Sequence, residues 1–336
     1  MNIKKFCIIL IICQVSFFAA NAQDPYFSQY FMSPMTSNPA LVGRGITDTR
    51  VLTNFRSQWW GTGIPAFRTN AISVEKRIAT KKFPEDELAI GFAMDNDASN
   101  GGLLKKNFIT VATAFNKRIS KNSFFGAGIT LSYSNLTLDQ SKFLYQNQFG
   151  SLGFLRALPT FDPLMIANQD YLNTDAGLNY SYDGEKWGVN IGVAGFHLAK
   201  NKQGVKVNGN YTNNVRYATN ASVVRKYKGG DELHFIARYD QQGVNQIFTA
   251  GSIYKIKIPG EHPIEKLNMG LFNRFNDSFY PFIGFESASW FAGFSYDIIN
   301  SDLKTSYNSV QSMELTFGWQ IARKKAKLTH NRMVIY

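Results

Sequence analysis

Apolar and polar residues alternate one by one through most of the chain. Phe125, Ala127, Ile129, Leu131 and Tyr133 fall on one side of a stretch whose other side is Gly126, Gly128, Thr130, Ser132 and Ser134. The beat returns near the end, where Met313, Leu315, Phe317, Trp319 and Ile321 interleave with Glu314, Thr316, Gly318 and Gln320. Successive side chains of a strand point to opposite faces, so each stretch reads as a strand with one apolar and one small or polar face. A soluble sandwich alternates too, with shorter strands and few aromatics on its outer face. Here the beat runs for nine to eleven residues, the length a tilted strand needs to cross the hydrocarbon layer. The pattern predicts an all-β fold, a transmembrane antiparallel β-barrel.

Alternation between turn signals predicts about fourteen strands, near 49–59, 69–77, 88–95, 107–117, 123–134, 174–182, 187–198, 214–226, 231–240, 246–254, 266–275, 280–287, 290–297 and 312–321. The pattern is weaker at 214–226 and 246–254, which leaves twelve or sixteen open. Outward faces are clearest at Val51, Phe55 and Trp59, at Leu88, Ile90, Phe92 and Met94, at Trp187, Val189, Ile191 and Val193, and at Trp290, Ala292, Phe294 and Tyr296. Connections after the fourth, sixth, eighth and twelfth strands are tight: Ile119–Asn122, Asp183–Lys186, Tyr227–Gly230 and Glu286–Ser289. Those after the third, fifth, seventh and thirteenth are long: Asn96–Lys106, Asn135–Asn173, Ala199–Asn213 and Ile298–Gln311. Gln241–Asn245, Asn276–Phe279 and Lys255–Glu265 depart from this rhythm. Short turns facing the periplasm and long loops facing outside would produce it, with both termini periplasmic.

Residues 1–22 read as an export signal. Lys4 and Lys5 precede the apolar run Phe6–Ala20, and Ala20-Asn21-Ala22 supplies the small residues before a cut at Gln23. The only cysteines, Cys7 and Cys13, lie inside it, so the mature chain has no thiol or disulfide chemistry. Residues 23–48 carry Pro25, Pro34 and Pro39, which disfavour a continuous helix or strand; this segment either enters the lumen as a plug or lies across the periplasmic mouth. The barrel occupies 49–321. The tail 322–336, with Arg323, Lys324, Lys325, Lys327, His330 and Arg332, is either a solvated basic extension or a docking segment for a periplasmic partner or peptidoglycan.

Composition changes this picture little. After the signal no apolar run is long enough for a helical span. A mean hydropathy of −0.20 would suit a soluble protein, but lumen-facing residues dilute every barrel strand. The 28 Phe and 16 Tyr fit aromatic girdles at two interfaces. The net charge of +12 is scattered over turns, loops and tail, which argues against nucleic acid and for envelope partners such as lipopolysaccharide, peptidoglycan or acidic protein surfaces.

Catalytic chemistry is not legible. His197, His234, His262 and His330 are far apart and show no metal-ligand spacing. His197 near a strand end would need a serine or an acid pair within hydrogen-bond reach to act as a base, and reads as a structural or lumen-facing residue. Asp95/Asp97 and Asp231/Glu232 fall at strand ends, where solvated charges are normal. No enzyme, metal or cofactor is called for. Lumen-facing Arg50, Arg56, Arg238, Arg274 and Glu314 either line a passive channel or bind the N-terminal segment through an internal ion-pair network.

The stretch Asp24-Pro25-Tyr26-Phe27-Ser28-Gln29-Tyr30-Phe31, followed by Asn38-Pro39-Ala40-Leu41-Val42-Gly43, resembles the opening signature of the PorP/SprF family, outer-membrane proteins of the type IX secretion and gliding machinery of Bacteroidota. Asn54-Phe55-Arg56-Ser57-Gln58-Trp59 is similar to the family's first-strand motif, and Asp95-Asn96-Asp97 with Gly101-Gly102-Leu103 to its second loop. Phe294-Ser295-Tyr296-Asp297 and Ser312-Met313-Glu314-Leu315 resemble the closing strands, although Met313 stands where the family often has His and the basic tail runs past the usual end. The resemblance implies a non-enzymatic barrel in the cell outer membrane. Its partners would be secretion components or an exported adhesin's C-terminal domain, with peptidoglycan-associated proteins on the periplasmic side. Tyr26, Phe27, Tyr30 and Asn38 would contact a partner, plug the lumen, or serve only to close the barrel.

Overall fold

The computed structural model describes residues 26–45, 48–63, 65–78, 85–139, 142–150, 153–159, 169–199, 213–260, 262–301 and 310–321. The export signal expected at 1–22 and the basic tail at 322–336 lie outside these residues, as does most of Ala199–Asn213 and of Ile298–Gln311.

In chain order the strands are β1 (Thr49–Trp60), β2 (Phe67–Ile78), β3 (Glu87–Ser99), β4 (Leu104–Ser120), β5 (Ser123–Leu138), β6 (Phe149–Gly150), β7 (Gly153–Phe154), β8 (Gln169–Asp183) and β9 (Trp187–Phe196). There follow β10 (Arg216–Lys226), β11 (Glu232–Gln242), β12 (Asn245–Lys257), β13 (Lys266–Arg274), β14 (Ser278–Glu286), β15 (Trp290–Ile299) and β16 (Gln311–Ile321). β6 and β7 form a two-stranded hairpin apart from the wall, and the other fourteen close into one barrel with β1 beside β16. Every neighbouring pair is antiparallel, and the seam runs from Thr49↔Ile321 to Arg56↔Glu314 before a register shift between Ser57 and Trp60. Closure removes free strand edges, so each strand of the wall pairs with a neighbour on both sides.

The alternation in the sequence is the inside–outside pattern of the wall. On β5, Phe125, Ile129, Leu131 and Tyr133 are exposed, while Gly126, Gly128, Thr130, Ser132 and Ser134 are buried toward the lumen. Ile90, Phe92 and Met94 on β3 and Trp187, Ile191 and Val193 on β9 are likewise exposed. At the β1 bulge the beat slips: Trp59 takes a φ of 58° and its ring packs on Phe67, with centroids 4.8 Å apart. Pro281 in β14 has no N–H, and the β14–β15 ladder has no pairs between Phe279↔Ile298 and Phe282↔Ser295.

One connection differs from expectation. Asn96–Lys106 is not a long loop, because the ladder continues through Asn96↔Asn107 and Asp97↔Lys106 to Ser99↔Leu104. Asp95 and Asp97 therefore sit within β3 rather than at its end. The apolar beat stops there while pairing persists, as it can once a strand has left the hydrocarbon and its outer face meets water. Asn135–Asn173 shortens for the same reason, with β5 running to Leu138 and β8 starting at Gln169. The wall is thus uneven: β4, β5 and β8 have 17, 16 and 15 residues, whereas β13 and β14 have 9 each. At a rise of about 3.3 Å per residue, one side extends some 20 Å farther along the strands than the other.

The lumen is filled from Tyr26 to Gly45. Two prolines start two short turns, Pro34–Ser37 and the 3-10 turn Pro39–Leu41, following the 3-10 turn Tyr30–Met32. Tyr30, Phe31 and Met32 pack with Leu52, Ile236, Ile253, Phe272, Tyr280, Phe282 and Phe291 from the wall. Phe31 stacks on Phe272 at 5.4 Å and meets Phe282 edge-on at 5.4 Å. On the other side Met35 and Val42 pack on Ala89, Ala93, Ala112 and Ala114. Small residues stand where the segment comes close. A Cβ at Gly128 would overlap the Pro39 carbonyl and lie 2.6 Å from the Ala40 nitrogen, and one at Gly177 would overlap the Asn38 side-chain oxygen.

Replacing Gly128 by Val should therefore lower the stability of the purified barrel by roughly 1–3 kcal/mol, as expected for overpacking. Ala127→Val, one residue along on the exposed face, should leave it unchanged. The temperature at which the folded band disappears in a heat-modifiable gel shift measures both.

Candidate functional site, the occupied lumen

The segment inside the barrel meets a wall that has already paired its own peptide groups. Its backbone must be satisfied by side chains, and the inward positions of β1, β13, β15 and β16 provide them. Glu314 accepts the backbone N–H groups of Ser28 at 2.6 Å and Gln29 at 3.0 Å. Asp297 accepts the Ser28 hydroxyl at 2.9 Å and also binds Arg56 at 2.9 Å and Arg274. Arg56 lies 3.6 Å from Glu314 and donates to the Tyr26 carbonyl at 2.9 Å. The Tyr280 hydroxyl donates to the Ser28 carbonyl at 3.0 Å, and the Gln29 amide donates to the Glu314 carbonyl at 3.0 Å. Two guanidiniums thus face two carboxylates, all buried, with a strand of backbone held between them.

Tyr26 stands at the centre of the basic side chains. Arg274, Arg238 and Arg56 lie 5.4, 5.7 and 6.0 Å from its ring centroid, and its hydroxyl hydrogen-bonds Thr249 at 2.9 Å. Arg238 is paired with Asp240 and donates to the Ser37 hydroxyl at 2.6 Å; Ser37 in turn donates to the Tyr30 carbonyl at 2.7 Å. Asn38 caps the Pro39 turn by accepting the Ala40 N–H at 2.9 Å. Its amide donates to the Leu178 carbonyl and to Asn220, each at 3.1 Å. Lower down, Arg50 reaches Glu75 at 2.6 Å, and Glu75 accepts the Gly43 N–H at 2.7 Å. Arg44 binds Glu87 at 2.9 Å and covers the Phe124 ring at 4.2 Å.

These contacts give the segment a direction. Tyr26 lies level with Arg56, Thr249 and Arg274, in the half of the barrel nearer the long connections. Gly43 and Arg44 lie level with Glu75 and Glu87, at the end of the tight turns. The chain descends the lumen before entering β1.

Of the residues singled out in the sequence, Tyr26, Phe27, Tyr30 and Asn38 all lie inside the barrel. Arg56, Arg238, Arg274 and Glu314 touch the segment directly, and Arg50 acts on it through Glu75. Their partners Asp297, Asp240 and Glu75, and the Arg44–Glu87 pair, carry no role in that reading. Asp240 had a visible signal, since it shares a face with Arg238 two residues away; Asp297 stood inside a quoted motif without an assigned role. His197 is held at a φ of 59°, with its N–H donating to Asp175 at 2.9 Å. Among the described residues, no group of three or more His, Cys, Asp or Glu is placed to hold a metal ion.

A closed antiparallel wall of amphipathic strands, apolar outside and occupied inside, defines a membrane β-barrel. The chain belongs to the PorP/SprF family of type IX secretion system membrane proteins, whose family model matches residues 19–319. No curated protein sequence matches it significantly. Among solved structures it is similar to the "TodX deltaS2S3 mutant monoaromatic hydrocarbon channel" (TM-score 0.50, 10% identity, covering 86% of this chain and 94% of that one). A FadL homologue of Pseudomonas aeruginosa gives a TM-score of 0.47 at 10% identity over 84% and 92%. The P. putida toluene transporter TodX gives 0.47 at 9% over 85% and 93%. At these identities the likeness concerns the fold alone.

Arg56→Ala would leave Asp297 and Glu314 facing one another with a single guanidinium near them. It should destabilise the barrel by about 3–5 kcal/mol, the usual cost of breaking a buried pair by removing one partner. Thermal unfolding in detergent checks this against Arg68→Ala, which lies on the same side of the barrel but outside the network.

Burial pushes the Tyr26 phenol above its ordinary value of 10.0, with Arg238 and Arg274 pulling it partly back, and pushes Tyr30 well above that value. A phenol whose pKa is raised by folding contributes fully below its unfolded value and loses that contribution as pH rises through the folded one. Stability should therefore fall progressively above about pH 10. Tyr26→Phe/Tyr30→Phe should blunt the fall when melting temperature is followed against pH.

Proposed function

We propose that this protein is a non-enzymatic outer-membrane component of the type IX secretion and gliding machinery. It anchors an exported surface protein or assists its export. The long connections face outside and hold the exported protein's C-terminal domain. The tight-turn end faces the periplasm, where it and the basic tail engage peptidoglycan-associated partners or other components of the machine. In this reading the Tyr26–Gly45 segment is a permanent plug and the barrel is a rigid post.

The observation that carries the reading is the occupied cross-section. Glu314, Asp297, Arg56 and Arg274 are committed to Ser28, Gln29 and the Tyr26 carbonyl. The same inward charges that suggested a passive channel are thus engaged with the chain itself, and family membership supports a place in the secretion machine.

Deleting the gene should abolish export or surface retention of one or more proteins, scored by comparing secreted and surface fractions. An unaltered secretome with normal surface adhesins would count against the proposal. In planar bilayers the reconstituted barrel should stay silent, and steady conductance would transfer support to the diffusion channel.

A further inference from the structure

The plug does not fill the lumen evenly. It presses Tyr26 and Tyr30–Met32 against β11–β16 and leaves a narrow cleft, about 80 Å³ in volume, on the taller side of the wall. Phe27, Met35, Phe108 and Phe196 give the cleft apolar surfaces, and His197 and Arg216 stand where β9 ends and β10 begins.

Its polar groups are not equivalent. Asp175 accepts the Thr130 hydroxyl at 2.5 Å and the His197 N–H at 2.9 Å. Arg216 is paired with Asp240 at 3.1 Å, donates to the Thr36 carbonyl at 3.2 Å and lies 3.9 Å over the Phe196 ring. Asp95 turns into the same cleft with no hydrogen-bond or ion-pair partner among the described residues. Its cross-strand neighbours are Ala71 and Phe108, which offer it nothing polar. Lys106 stands across from Asp97 instead and makes no ion pair with Asp95. A carboxylate held against aromatic and aliphatic walls costs solvation energy unless a cation or donor meets it. The Phe108 and Phe27 rings attract positive charge as the Phe196 ring already does for Arg216.

We propose that this cleft is a binding site for an alkylammonium group, an amine on a slim aliphatic stem. The ammonium pairs with Asp95 and its stem lies along Phe108, Phe27 and Met35. Such a group is available as a free amine or as a lysine side chain of a polypeptide presented at the mouth. The site is independent of the secretion role proposed above, because its chemistry is read out by small probes on the purified barrel.

The test uses the full chain in zwitterionic nanodiscs and isothermal titration with four probes: hexylammonium, hexanol, acetyl-Gly-Lys-Gly-amide and acetyl-Gly-Gln-Gly-amide. Hexylammonium should bind at least tenfold more tightly than hexanol. Asp95→Asn, which removes no partner and should fold normally, should erase that preference, while Asp97→Asn should keep it within twofold. If the lysine peptide also outbinds the glutamine peptide in an Asp95-dependent way, the source is a polypeptide; if only hexylammonium does, the source is a free amine. Equal binding of hexylammonium and hexanol, or equal loss in Asp95→Asn and Asp97→Asn, would overturn the proposal.

Discussion

A polypeptide threaded through a β-barrel has no strand edge to pair with. Each wall strand spends its N–H and C=O groups on its two neighbours, so the peptide groups of Tyr26–Gly45 depend on side chains or on their own short turns. This constraint accounts for the charged residues that meet the segment, whereas Lys255, Lys266, Glu232 and Glu286 pair with one another in the wall. Carboxylates supply the strongest acceptors for Ser28, Gln29 and Gly43 N–H groups, and guanidiniums supply donors for the Tyr26 and Thr36 carbonyls. Once such charges are buried they must be balanced, hence the pairing of Arg56 and Arg274 with Asp297 and Glu314, and of Arg50 with Glu75. The network is a backbone-satisfying device first and an ion-pair network as a consequence.

The same constraint divides the lumen into two kinds of surface. Where the segment lies close, on β5 and β8, the wall presents glycine, to the Pro39–Ala40 backbone at Gly128 and to the Asn38 side chain at Gly177. Where it stands off, on β13–β16, aromatic rings and long charged side chains fill the gap. The cleft beside Asp95 is the region that neither solution covers, and it falls on the side where the strands are longest.

Much of the wall was legible in the sequence, because a strand with lipid on one side has little freedom in what it shows. Ile129 and Leu131 have to be apolar, and the period of two marks them. Legibility ended where lipid ended: past Met94 and before Phe108 the outward residues are free to be polar, and strand was mistaken for loop. Inside the barrel, individual charges such as Arg238 and Glu314 stood out against alternation. Their pairings did not, since Arg56 and Asp297 are 241 positions apart and meet only through closure of the barrel. The glycines at 126, 128 and 177 looked like filler for a small-residue face. For Gly128 and Gly177 the reason, the Asn38–Ala40 turn lying against them, belongs to a segment with no periodicity to read.

The seam between β1 and β16 carries both Arg56 and Glu314, directly opposite one another in register. The peptide groups of Tyr26, Ser28 and Gln29 rest on these two residues together. The joint between the first strand and the last and the seat of the segment therefore share the same two side chains. Without the segment, Glu314 at the joint would lack the Ser28 and Gln29 N–H donors, and without the joint the segment would hold only part of its partners. The insert acts as the keystone of the ring, bearing on both sides of its joint at once.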